Sequence, residues 1–246
     1  MEHYFLKHLQ YKLYTDLTIN LCYNSPMNKD WSELNKTMQA QLKKAETFQA
    51  GLGTLFDLRN KLMNTLLSVK ASLSGADFAA LPFRNAAGNH STTIAWSLWH
   101  VFRIEDIVAH TLISDGEQVF AARNYQQRIN APIITTANEL SKEEIVEFSR
   151  QLNIEELYNY AAAVKASTEK LVRQLPFSAM KQKVTEERRQ HLESLNAVSK
   201  DEESWWLIDY WCSKDIRGLI QMPLSRHWIM HVEAILKIRD KLLKGA

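Results

Sequence analysis

Seven glycines and five prolines in 246 residues leave this chain few places to turn sharply, and that scarcity constrains its fold more than any other feature. Between these breakers, apolar side chains recur at spacings of three and four over long stretches, the period of a helix with one buried face. Strand-built folds need frequent Gly- and Pro-rich turns, so they have little room here. The reading is all-α: a four-helix bundle with additional short helices.

The first long helix is expected over about 54–70, where Leu55, Leu58, Leu62, Leu66 and Val69 share one face. A preceding helix over 30–49 should end near Gly51 and Gly53. The second long helix follows Ser91 or Thr92, either a good N-cap, and runs through Ile94, Leu98, Val101, Ile104 and Val108 to Ser114-Asp115-Gly116. Asn153 opens the third, whose seam of Leu157, Ala161, Val164, Thr168, Leu171 and Leu175 is stopped by Pro176. The fourth starts at Pro223, a residue tolerated in a first turn, and continues to about Lys244. Short connections make such helices antiparallel neighbours. Residues 117–140 lack a clear period and are expected to form a loop with a short helical turn. After it, Ser141-Lys142-Glu143-Glu144 has capping-box spacing. The charged stretch 181–195 reads as an exposed helix outside the bundle, with a loop to Glu203.

Charge and cysteine usage bound the partners. With 30 basic and 28 acidic residues, a formal charge of +2 and no block of like charges, nucleic acid is not an expected partner. Cys22 and Cys212 stand far apart and form no CxxC pair, which fits a reducing compartment and a cytoplasmic location. No apolar window of about 18 residues offers a membrane span or a signal-peptide core. The stretch 1–26 is aromatic, with His3, Tyr4, Phe5, His8, Tyr11 and Tyr14 but no helical stripe. It reads as an N-terminal extension, with Met27 an alternative start and one bundle domain over 27–246.

The most informative motif lies on the fourth helix. Its seam reads Leu224, Trp228, His231, Ile235, Ile238 and Leu242, so a histidine fills a slot otherwise reserved for apolar side chains. His227 stands four residues earlier, about 40° round the helix and one turn back, and both imidazoles can reach a common ion. Neutral imidazoles bind such an ion at about 2.0 to 2.1 Å, and a third ligand leaves one position open for water or substrate. Among eight histidines an i,i+4 pair arises readily by coincidence, so spacing alone leaves two core histidines as an open alternative. Trp228 occupies the place of the glutamate in HExxH peptidases, which disfavours a zincin.

A second signal is Trp96-Ser97-Leu98-Trp99-His100-Val101-Phe102-Arg103-Ile104-Glu105-Asp106, a histidine midway along a strongly apolar helix. With Trp206-Leu207-Ile208-Asp209-Tyr210-Trp211 and Pro223-Leu224-Ser225-Arg226-His227-Trp228-Ile229-Met230-His231-Val232-Glu233, it resembles the DinB/YfiT-like family of metal-dependent enzymes over roughly 30–244. The resemblance implies a divalent ion in the bundle core, held by His100, His227 and His231, with water or substrate completing the shell. It also implies a small-molecule substrate, which for a thiol S-transferase is a low-molecular-weight thiol. A homodimer is the expected assembly. Val232-Glu233 stands where many relatives carry an arginine-glycine pair, so the subfamily stays open. Three imidazoles accommodate zinc or nickel, the leading assignments, and also iron or manganese.

Ligating histidines usually give their other nitrogen to a carboxylate or carbonyl. Glu105, Asp106, Asp209 and Glu233 are the candidate carboxylates, with a solvated helix edge as the alternative for each. Tyr158, Tyr160 and Tyr210 are proton donors or core filling, and Trp205, Trp206, Tyr210 and Trp211 make core, a pocket lip or a dimer face. Cys212 reads as a small buried hydrophobe. His3, His8, His90, His110 and His191 read as helix-end or surface groups. Two function classes follow: a metal-dependent transferase or hydrolase with no catalytic acid or base yet assigned, and a non-catalytic dimeric metal-binding or stress-related module. A structural site of the second kind is closed by a fourth protein ligand.

Overall fold

A computed structural model of the chain describes residues 26–245. Residues 1–25 of the expected extension, with His3, His8 and Cys22, lie outside the described residues. Among the described residues every regular element is helical, and the β structure is an isolated bridge between Lys183 and Asp215. The helices are α1 (Pro26–Gln41), α2 (Phe48–Ser72), α3 (Ile94–Asp106), α4 (Val119–Ala122), α5 (Tyr125–Ile129), α6 (Lys142–Gln151), α7 (Ile154–Gln174), α8 (Glu186–Ser194), α9 (Glu202–Cys212), α10 (Ile216–Gln221) and α11 (His227–Gly245). A π-helical turn, Ile107–Ile113, prolongs α3, and another, Met222–Arg226, joins α10 to α11. Of the four long helices, α2 and α3 each pack against both α7 and α11, which closes a ring, while α1 lies along α2.

The apolar seams fill this ring in two clusters. Leu58, Leu62, Leu66 and Val69 of α2 meet Leu98, Trp99 and Phe102 of α3, Leu157 and Val164 of α7, and Trp228 and Ile235 of α11. Further along the same helices, Leu52 and Leu55 join Ile104, Val108 and Leu112, and α9 closes that end with Leu207, Ile208 and Trp211. At the boundary lies a buried polar layer. Arg59 donates Nη1 to Glu105 Oε2 at 3.0 Å and Nη2 to Glu105 Oε1 at 2.7 Å, and its Nε reaches Glu169 at 3.1 Å.

Several boundaries differ from those expected, each for a local reason. The break after α1 falls at Leu42–Thr47 rather than at the glycines, closed by Thr47 Oγ1 donating to the Gln41 carbonyl at 2.7 Å. Gly51 then sits inside α2, where it permits close approach: a Cβ there would lie 2.9 Å from Leu42 Cδ2 and 3.1 Å from the Leu42 backbone nitrogen. Thr93, not Ser91 or Thr92, caps α3, accepting from the Trp96 backbone N–H at 3.0 Å. Pro223 falls in a π turn because its ring clashes with the i−4 carbonyl of a regular helix, and widening the turn removes the clash. The expected loop up to Glu203 is present over 195–201, and the aromatic-rich segment after it, given no element by the sequence, folds as α9 and α10.

The two glycines of α2 give opposite expectations. Gly51→Ala should destabilise by about 1 to 3 kcal/mol through overpacking against Leu42. Gly53→Ala, whose would-be Cβ meets nothing within 4 Å beyond its own stretch of helix, should stabilise by about 0.5 to 1 kcal/mol through helix propensity. Urea denaturation of the two variants checks both signs.

Candidate metal centre

His100 stands midway along α3, and His227 and His231 open α11 directly after the π turn. Their rings form a near-equilateral triangle, with centroids 5.0 Å apart for His100–His227, 5.0 Å for His100–His231 and 4.6 Å for His227–His231. One nitrogen from each ring lies within 4.8 Å of the other two, against the 3 to 4 Å of a tightly closed shell. An imidazole bound through nitrogen at about 2.1 Å holds its ring centre about 3.2 Å from an ion, so three rings set tetrahedrally or on one octahedral face stand about 4.5 to 5.2 Å apart. The triangle could therefore hold one ion.

Burial prepares the rings chemically. His100, His227 and His231 are 5%, 8% and 4% exposed, so the donor set is largely desolvated. Desolvation lowers the His100 pKa to about 4, against the opposing pull of its bond to Thr136. It takes His227 and His231 well below the ordinary value, helped by repulsion among the three rings. All are neutral at pH 7, the state that ligates. His100 Nδ1 lies 2.9 Å from the Thr136 carbonyl, and as the donor there it leaves Nε2 as the ligating atom. The Nδ1 atoms of His227 and His231 are buried without a hydrogen-bond partner, an unmet demand that marks the site as built for something besides packing.

The stretch 130–140 is fixed by α3. Arg103 Nη2, Trp99 Nε1, His100 Nδ1 and Trp96 Nε1 meet the successive carbonyls of Ile134, Thr135, Thr136 and Ala137 at 2.8, 3.0, 2.9 and 2.9 Å. The spacing of 96, 99, 100 and 103 is one helix face, so a segment without a period of its own is ordered by the helix it covers. Ala137 adopts φ 62° within it and is fully buried, a left-handed conformation that costs an alanine about 1 kcal/mol or more. Trp96 stacks on His100 with centroids 4.4 Å apart and planes 10° apart, walling one side of the site.

The four candidate carboxylates take different places. Glu105 accepts from Trp228 Nε1 at 2.6 Å, so it bears on the residue beside His227 rather than on a ring nitrogen. Arg59, which pairs with Glu105, also donates to the Leu224 carbonyl at 2.7 Å in the π turn. Asp106 is fully buried and bonds to His110, Tyr160 and the start of α4. Asp209 takes the alternative of a solvated helix edge: it is exposed and pairs with Arg189 at 2.7 Å on the surface. Glu233 is half-buried, and burial raises its carboxyl to about 7. His110 corrects the expectation, buried at 6% exposure rather than a surface group. Tyr158 is core with its hydroxyl on the Leu66 carbonyl at 3.0 Å, while Tyr210 is half-buried. Arg59 went unread in the sequence, although a charge at the i+4 position from Leu55, on the apolar face of α2, is its signal. The Thr136 carbonyl had no sequence signal.

A pH expectation follows for chelator-treated protein. Because the three folded-state imidazoles resist protonation that the unfolded chain accepts at about 6.5, stability falls as pH drops below that value toward 4. Each group contributes a slope of up to about 1.4 kcal/mol per pH unit. His110 works oppositely, since desolvation, which lowers its pKa, is outweighed by the bonds and charge of Asp106, and the contribution of the raised group is lost as pH rises above 6.5. Melting curves from pH 4 to 7 should show the loss on acidification, and flat stability there would contradict it.

No helix of the described residues is long and apolar enough to cross a membrane. No family model, no curated protein and no solved structure matches the chain.

Proposed function

We propose that the chain is a metal-dependent enzyme of the DinB/YfiT-like type, a four-helix bundle of α2, α3, α7 and α11 in which His100, His227 and His231 hold a divalent ion, zinc or nickel, for thiol transfer or hydrolysis. The observation that carries this reading is the triangle of buried, neutral imidazoles at the spacing one ion requires. When bound, the ion supplies a Lewis acid that lowers the pKa of a coordinated water or thiol toward neutrality.

The chain's own residues supply the rest. The Thr136 carbonyl fixes the ring orientation of His100. Trp96, stacked on His100 and tilted over His231 at 5.9 Å, excludes water from one side of the donor set. Glu105 and Arg59 brace the π turn and Trp228, and so the start of α11 where His227 stands. Three neutral donors leave an ion's charge uncompensated, which favours an anionic fourth partner such as hydroxide or thiolate. Among the described residues the donor group has three members, which supports an open position over the closed four-ligand shell of a structural module.

Cobalt-substituted protein tests the thiol half of this reading. Adding a low-molecular-weight thiol should produce a thiolate-to-cobalt charge-transfer band, and zinc- or nickel-loaded protein should consume that thiol with a small alkyl halide. His100→Ala should lose both. Ion-loaded protein that neither ligates nor consumes thiol, nor hydrolyses small esters or amides faster than the chelated protein does, would support the non-catalytic module instead.

A further inference from the structure

Ten residues beyond His100, about 15 Å further along the same helix, the π turn presents His110 in different company. Its Nδ1 lies 2.8 Å from Asp106 Oδ1 and 3.1 Å from that residue's carbonyl, and its Nε2 lies 2.8 Å from Ser167 Oγ on α7. Exposure rises along this series, from Asp106 at 0% through His110 at 6% to half-buried Ser167. Asp106 is immobilised by the Val119 and Phe120 backbone N–H groups at 2.9 and 2.8 Å and by the Tyr160 hydroxyl at 2.8 Å. A carboxylate oriented in this way holds the imidazole with Nδ1–H toward itself, so Nε2 is the acceptor facing the serine hydroxyl. π turns inside α-helices occur frequently at functional sites, and here the turn bears the histidine.

We propose that Ser167 is a nucleophile activated by His110 and oriented through Asp106, forming a second reactive site that takes small carboxylic esters. The Ser167 oxygen attacks the ester carbonyl carbon while its proton passes to His110 Nε2. The bond to the alcohol breaks, and that proton leaves on the departing alkoxide. Water then adds to the acyl-serine by the same proton path, releasing the carboxylic acid and restoring the serine. A half-buried serine between two helices admits a small acyl group rather than a bulky one. The step uses no divalent ion, so this site stands or falls independently of the histidine triangle.

A fluorophosphonate probe with a small alkyl group, applied to the full chain in chelator, tests it: the Oγ–P bond forms, the P–F bond breaks and HF leaves. One adduct per chain is expected on the peptide that contains Ser167, and Ser167→Ala should slow labelling at least a hundredfold. Because His110→Ala removes a buried group and endangers the fold, Ser167→Cys provides the second measurement. Its new thiol should react with iodoacetamide at pH 7 at least tenfold faster than Cys212, whose thiol burial pushes up to about 11. Absence of an adduct at Ser167, equal labelling of Ser167→Ala, or a Ser167→Cys thiol no faster than Cys212 would each overturn the proposal.

Discussion

Glu105→Ala is expected to lower the unfolding free energy by about 3 to 5 kcal/mol, the cost of leaving a buried charge without its partner. Arg59 and Glu105 are both fully buried and form a two-bond ion pair at the boundary of the two apolar clusters. Removing the carboxylate strands the guanidinium, which also lies 4.5 Å over the Trp228 ring and cannot swing to water without disturbing it. Glu169 compensates only in part, because it meets Nε alone and is shared with Lys165 at 2.9 Å. The loss is a large fraction of the total stability of an ordinary domain, about 5 to 15 kcal/mol. Glu105→Gln should cost less, since its amide oxygen still accepts from Arg59 or Trp228. Urea denaturation of the three proteins checks the order, and a loss below about 1 kcal/mol for Glu105→Ala would mean that the layer relaxes freely.

His231→Ala should lower metal affinity at least tenfold, and it should destabilise the ion-loaded protein much more than the chelated one. In the proposed site the ring is a ligand, and it fills a seam position between Trp228 and Ile235. An ion that binds only the folded state stabilises it by mass action, by about 2.7 kcal/mol at a hundredfold excess over Kd. Alanine removes most of that and leaves a cavity, whose cost falls on both forms. In the chelated protein this cost is partly offset, because a desolvated imidazole with an unpartnered Nδ1 disappears with it. Parallel melting curves with and without chelator separate the contributions. Equal losses in both forms, with unchanged metal content, would make His231 a core histidine and nothing more.

What the sequence made legible was the part governed by period. The seams of α2, α3, α7 and α11 mark the four long helices, and the histidine in the α11 seam points inward as its slot requires. What stayed hidden depends on partners far apart in the chain. Asp106 and His110 have the i,i+4 spacing of a helix pair, but Ser167 reaches them only once α7 packs on α3. The segment 134–137 carries no propensity signal because its order comes from four α3 side chains that hold its carbonyls. Glycine misled as punctuation at Gly51, where the need for close packing against Leu42 outweighs its tendency to end a helix.

In the proposed site three imidazoles from two helices share one divalent ion. Protein expressed without a chelating tag and crystallised should show, above the absorption edge of the metal found by elemental analysis, one anomalous peak at nearly equal distance from His100, His227 and His231. Metal-free protein that fails to take up zinc or nickel at these rings, or a peak elsewhere in the chain, would contradict it.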